Sequence, residues 1–194
     1  DKELREMRVN ELVEAHRKFI LRTLPEVIRG EKTLTMETLS HLRVYFDQIM
    51  SSEPYRYLRR VTMDFAGIKP GFEGDVLDLG CGTGVSTIQV AERVRGRVVG
   101  VDSSEKNVEA AKIRAKELRL DNVEFRVMDA RDVHKHFGEE FEAVTAFALM
   151  HYVPNPEAVV AAAYKVLKPG GILCIGLDRF VKREGEIIFN IEPL

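Results

Sequence analysis

The chain has 194 residues, of which 45% are hydrophobic and 31% charged, with a formal net charge of −2. That composition excludes a disordered polymer and allows one domain with a full core plus a small appendage. No apolar run reaches the ~20 residues that span a bilayer, no leader is evident, and the near-neutral charge gives no general attraction to nucleic acid or anionic lipid.

The first residue is Asp rather than Met, so the chain is expected to be cut from something longer. Cys81 and Cys174 make no disulfide framework and are expected as small buried thiols of a cytoplasmic protein.

Residues 1 to about 29 read as a helix, with Leu4, Met7, Leu12, Ala15, Phe19 and Ile20 recurring among charges. Pro25 kinks or ends it, and Gly30 suits a stop. A second helix, about 36 to 50, carries Leu39, Leu42, Phe46 and Ile49 on one face. Ser52-Glu53-Pro54 starts a third, about 54 to 66, with Tyr55, Tyr57, Leu58, Val61 and Phe65 as its apolar residues. Arg56, Arg59 and Arg60 on that helix read as a solvated face, with a grip on an anionic substrate as the sharper alternative. The organisation is thus an N-terminal helical segment over 1–70 and an α/β part over 71–194.

From residue 75 the pattern changes. Strands are predicted at 75–79, 97–101, 123–127, 142–148 and 171–177, and helices at 84–94, 104–119, about 131–137 and 155–167. Alternating βα units give a doubly wound, mostly parallel sheet with helices on both faces, in the manner of a Rossmann fold. Ligands of such sheets bind at the carboxyl ends of the strands, near the point where strand order reverses.

The first βα turn is Val76-Leu77-Asp78-Leu79-Gly80-Cys81-Gly82-Thr83-Gly84. A dinucleotide fingerprint places Gly or Ala at position 85, where this chain has Val. The arrangement Asp-x-Gly-x-Gly-x-Gly instead resembles motif I of the class I S-adenosylmethionine-dependent methyltransferases. Further stretches resemble that family in order: Arg97 to Ser104, Asn122 to Ala130, Phe141 to Val153, and the Leu167-Lys168-Pro169-Gly170-Gly171 turn. The resemblance covers about residues 72 to 178.

It implies S-adenosylmethionine as cofactor and S-adenosylhomocysteine as product. The cofactor contacts it implies are Asp78, Gly80, Cys81, Gly82, Gly84, Asp102, Ser103, Asp129, Ala130 and Phe147, with Gly80 and Gly82 facing the methionine end. Asp102 stands 22 residues after Gly80, at the end of the second strand, placed to accept from ribose hydroxyls. Its competing role is to cap the next helix, which Ser103 or Ser104 can also do. In relatives the residue matching Asp129 accepts from the adenine amino group and the Ala130 backbone serves a ring nitrogen; here the competing role is again a cap. Phe147, Ala148 and Leu149 would lie under the adenosine.

His151, just past the fourth strand, is a candidate general base on an acceptor hydroxyl or acidic carbon, with packing at the pocket rim as the alternative reading; Tyr152 is the weaker candidate. His134 and His136 have no ligand set beside them, so no metal is expected. The Asn/Asp-Pro-Pro-Tyr signature of base methylation is absent after strand 4, which argues against DNA and some RNA targets, and the Leu167–Gly171 turn matches that of the family's small-molecule members, which implies a small-molecule acceptor. Relatives continue past strand 5 with a helix and two strands, whereas here only Arg179 to Leu194 follow, with one strand expected at 187–191. A bare sheet edge would favour a homodimer. The competing function is a non-catalytic S-adenosylmethionine-binding sensor or scaffold module.

Overall fold

A computed structural model describes residues 47, 50–176, 180–183 and 186–189. The helices expected over 1–29 and 36–50 fall almost wholly outside the described residues. By its internal contacts the chain forms two compact units, Asp1–Tyr55 and Arg56–Leu194.

In the second unit, five parallel strands, β1 (Val76–Leu79), β2 (Val98–Asp102), β3 (Val123–Val127), β4 (Phe141–Phe147) and β5 (Leu167–Gly176), lie in the order β3-β2-β1-β4-β5. The order reverses between β1 and β4, so the crevice for a ligand opens above those two strands. Helices α1 (Glu53–Ala66), α2 (Val85–Ala91), α3 (Glu105–Glu117) and α4 (Pro156–Val166) connect and cover them.

Strand alternation sorts the core into two layers. Leu77, Leu79, Val99, Val101, Val144 and Ala146 point to the side of α4, where Val159, Ala162, Ala163 and Val166 meet them. Val76, Val98, Ala143 and Cys174 point to the other side, against Met63 of α1 and Val90 of α2. Asp78 shares the face of Val76, and its neighbour across the β1–β4 ladder is Thr145. A carboxylate is therefore carried into the α1/α2 layer by the same alternation that buries the valines.

Four sequence expectations change. Helix α1 turns its other face to the sheet: Arg59 and Met63 are buried, whereas Tyr57, Val61 and Phe65 are exposed. Its partners Ile68 and Val76 select the 59/63/66 stripe over the 57/61/65 stripe. The helix expected at 131–137 is a single 3-10 turn, Val133–Lys135. The turn at 168–171 lies within β5 as a register break, since Phe141 faces Leu167 and Ala143 faces Ile172. A strand at Glu186–Phe189 pairs antiparallel with Phe180–Arg183, apart from the main sheet; Asn190 and Ile191 lie outside the described residues. Cys81 and Cys174 are both free and buried, and burial pushes their thiols up, that of Cys174 to about 11.

Candidate active site

The glycine turn after β1 is held from below. The Asp78 carboxylate is fully buried and accepts from Thr145 Oγ1 at 2.7 Å on one oxygen, and from Ser86 Oγ at 2.8 Å and Thr87 Oγ1 at 2.6 Å on the other. Desolvation raises its pKa; the three hydroxyls and the charge of Arg59 oppose that rise. Asp78 thus lies beneath the turn and fixes the start of α2 to β1 and β4.

Arg59 is the residue that sequence reasoning misplaced. It is fully buried, not solvated; its Nε donates to Gln89 Oε1 at 2.7 Å, and Gln89 Nε2 donates back to the Arg56 carbonyl at 2.7 Å. Burial lowers its pKa to about 10, against the opposing pull of Asp78. The signal for this was present: Arg59 recurs with Met63 and Ala66 at helical spacing, a stripe as regular as the exposed apolar one.

Gly80, Gly82 and Gly84 of the turn all lie in the left-handed region, and the first two bear directly on the site. Gly82 has φ 53, and a Cβ there would meet nothing within 4 Å, so its backbone faces open space that a ligand can approach. Gly80 has φ 69, and a Cβ there would lie 2.6 Å from Leu149 Cδ1, so the segment after β4 closes down onto the turn. Cys81 is buried against α3, and its N–H donates to the Val101 carbonyl, so it shapes the turn from within.

Opposite Gly82 stands Asp102, the last residue of β2, half-buried. Oδ2 accepts from Gly82 N–H at 3.0 Å; Oδ1 accepts from Ser104 N–H at 2.9 Å and Asn107 Nδ2 at 3.2 Å. Ser104 caps α3, its side chain accepting from Asn107 N–H, so Asp102 combines a helix-entry role with a position facing the turn. Ser103 beside it is exposed. A carboxylate offers about four acceptor sites, so three donors leave Oδ2 capacity for a ribose hydroxyl.

Asp129 follows β3 and is forked by Arg131, with Nε at 3.0 Å on one oxygen and Nη2 at 2.6 Å on the other. That bonding holds its carboxyl below the usual carboxylate range. Ala130 is buried beside it.

Phe147 is buried in the α1/α2 layer, so its ring is a wall of the core at this level. Ala148, next in the chain, has φ 54, a conformation that non-glycine residues adopt at a cost of ~1 kcal/mol. It is held by its N–H bond to the Gly176 carbonyl at 2.9 Å. The following 3-10 turn, Met150–Tyr152, brings up His151, half-buried, its ring centroid 4.0 Å from that of Tyr152.

The ends of β1, β2, β3 and β4 therefore gather a glycine turn open at Gly82, two partly exposed carboxylates and an imidazole. In its chemistry this set fits S-adenosylmethionine: open space beside a glycine turn for the amino-acid tail, and partly exposed carboxylates that can accept from hydroxyl and amino donors.

Comparison with known proteins agrees. Residues 73–184 match a family model described as a methyltransferase domain. The ubiquinone biosynthesis O-methyltransferase of Pseudomonas savastanoi pv. phaseolicola is 30% identical over 137 residues, 70% of this chain and 57% of that protein. This chain thus spans little more than half the length of such curated relatives. Among solved structures, the geranyl diphosphate C-methyltransferase of Streptomyces coelicolor superposes with a TM-score of 0.54 at 28% identity, over 60% of this chain and 43% of that one. The [4+2]-cyclase SpnF gives the same TM-score at 29% identity and the same coverage. On the motif order, the sheet and these matches, the chain belongs to the class I S-adenosylmethionine-dependent methyltransferase family.

Proposed function

We propose that the protein transfers a methyl group from S-adenosylmethionine to an oxygen or carbon of a small-molecule acceptor. The observation that carries this reading is the 3.0 Å bond from Gly82 N–H to Asp102, which joins the glycine turn to the β2 acid at the sheet's switch point. When bound, the cofactor supplies an electrophilic methyl on a sulfonium sulfur.

The chain's own work is to bind and orient. Gly80, Gly82 and Gly84 shape the backbone for the amino-acid tail. Asp102, with Ser103 beside it, takes the ribose, and Asp129 with Ala130 takes the adenine. Leu149, on Gly80, helps to exclude water. Positioning of this kind can supply ~7–11 kcal/mol of a barrier. His151 takes a proton from the acceptor, with the Tyr152 ring tilted against it; replacing His151 by Gln should lower kcat about a hundredfold if the acceptor must be deprotonated. An O-methyltransferase and a C-methyltransferase among the similar proteins support oxygen or carbon as the atom methylated.

The proposal keeps residues 71–194 as the cofactor-binding part, a cytoplasmic setting, and a homodimer that covers the outer edge of β5. No helix among the described residues is long and apolar enough to cross a membrane. Light scattering on the purified chain tests the dimer.

A second reading, a cofactor-binding protein that does not transfer methyl groups, draws on the likeness to the [4+2]-cyclase SpnF. Calorimetry with S-adenosylhomocysteine, followed by a screen of phenolic and prenyl diphosphate acceptors for its formation from S-adenosylmethionine, separates the two. Turnover supports methyl transfer, and binding without turnover on any acceptor supports the second reading. Absence of binding overturns both.

A further inference from the structure

Helix α3 presents one face to both halves of the site. Asn107 and Arg114 lie seven residues apart, two turns of helix, so both point the same way about 10 Å apart along the axis. Between them Ala111 is fully buried, its Cβ 3.0 Å from where a Cβ on Gly84 would stand.

At one end Asn107 Nδ2 donates to Asp102 Oδ1 at 3.2 Å. At the other, Arg114 Nη1 donates to the Thr83 carbonyl at 2.8 Å and to Thr83 Oγ1 at 2.9 Å. The bond from Gly82 N–H to Asp102 Oδ2 closes the circuit.

We propose that Asn107 and Arg114 are positioning residues for the cofactor: Arg114 sets the glycine turn that receives the methionine end, and Asn107 sets the carboxylate that receives the ribose. The proposal rests on the cofactor reading given above. Neither residue is assigned a contact with the ligand.

The physical need is specific to this turn. Thr83 is flanked by Gly82 and Gly84, both in the left-handed region. Glycine backbones lose the most conformational freedom when ordered, so such a turn is expensive to hold in one shape. A guanidinium bond to the Thr83 carbonyl fixes the peptide plane between Thr83 and Gly84, and the second bond, to Oγ1, fixes the side chain. The turn is then ordered before the ligand arrives, so less of the binding free energy goes to ordering it. A lysine is a strongly hydrated point charge on a flexible stem, so it restores only part of this grip. Ala111 gives the helix the close approach that lets both side chains reach their partners.

The test is calorimetric binding of two ligands, S-adenosylhomocysteine and adenosine, to the wild type and to Arg114→Met, Arg114→Lys and Asn107→Ala. Adenosine lacks the methionine end. Arg114→Met should weaken S-adenosylhomocysteine about tenfold, the loss of a charge-assisted bond, and adenosine by less than about threefold. Arg114→Lys should fall between Met and the wild type. Asn107→Ala should weaken both ligands to the same degree, about fivefold. Melting temperatures identify any variant that fails to fold, in which case Arg114→Lys carries the comparison.

Equal weakening of both ligands by the Arg114 variants would mark a merely structural role and overturn the proposal. So would S-adenosylhomocysteine binding within twofold of wild type. If the wild type binds neither ligand, the cofactor reading fails and this proposal with it; if it binds both and no variant moves, this proposal fails alone.

Discussion

Beneath the glycine turn Asp78 sits in a closed network, fully buried and bonded to three hydroxyls; at its rim Asp102 sits half-buried, bonded to two backbone N–H groups and an amide. Both are aspartates of adjacent parallel strands in the same sheet. They differ by position along the strand. Asp78 lies inside β1, opposite Thr145, where helices α1 and α2 cover it. Asp102 ends β2, where the chain leaves the sheet. Burial makes the first a structural charge, held chiefly by its three hydroxyl donors, with the charge of Arg59 adding to them. Partial exposure leaves the second able to exchange partners with a ligand.

The largest expected effect breaks the lower network. Asp78→Ala should cost about 3–5 kcal/mol in urea-monitored unfolding, because it leaves the Arg59 guanidinium buried without its counter-charge and three hydroxyls without their acceptor. Asp102→Ala should cost about 1 kcal/mol of stability, since Ser104 still caps α3, yet weaken S-adenosylhomocysteine about a hundredfold in calorimetry. The two variants are expected to cross: one loses the fold, the other the ligand. If Asp102→Ala unfolded the protein and Asp78→Ala merely weakened binding, the division between floor and rim would be wrong.

How much of this was legible in the sequence follows the same division. The sheet could be read because β1, β2 and β4 are short, mostly apolar runs, and the glycine turn marks where β1 ends. Asp102 could be read because its distance from the turn is set by one βαβ unit. Asp78 could be noticed, but its depth depends on Ser86, Thr87 and Thr145 converging across three elements. Arg59 and Arg114 were hidden for a common reason. A charged residue in a helix reads as solvated unless the packing of that helix is known, and packing is decided by the sheet. For α1 the sheet selected the face of Met63; for α3 it selected the face of Ala111. Leu149 was expected near the adenosine from the resemblance, but its contact with Gly80 could not be read, because that follows from the left-handed turn at Ala148.

The contact of Leu149 with the turn supplies a test of intermediate size. Gly80→Ala places a Cβ 2.6 Å from Leu149 Cδ1 at a φ of 69, and should cost about 1–2 kcal/mol in unfolding. Leu149→Ala in the same chain removes the steric part and leaves the backbone part. A double-mutant cycle should therefore show a favourable coupling of about 1 kcal/mol. Additive losses would mean that the rim does not rest on the turn.

The smallest effect separates rim from floor by pH. Arg131 holds the Asp129 carboxyl below its ordinary 3.8 in the folded chain, chiefly through its side-chain bonds. The unfolded chain then binds the proton more tightly. The stability from this pair is complete above pH 3.8 and is lost as pH falls through the lower folded value. The pair is largely exposed, so solvent screens it and the contribution is small. At Asp78 the sign reverses: burial raises the folded pKa, so its linkage favours the folded state at low pH and that advantage is lost as pH rises from 3.8 through the raised value. Unfolding midpoints measured against pH should show the gap between wild type and Arg131→Met closing below pH 3.8. Between wild type and Asp78→Asn, the pH-dependent part of the gap should move in the opposite sense, favouring wild type more at the acid end. Parallel profiles for the two variants would show that burial does not distinguish these carboxylates.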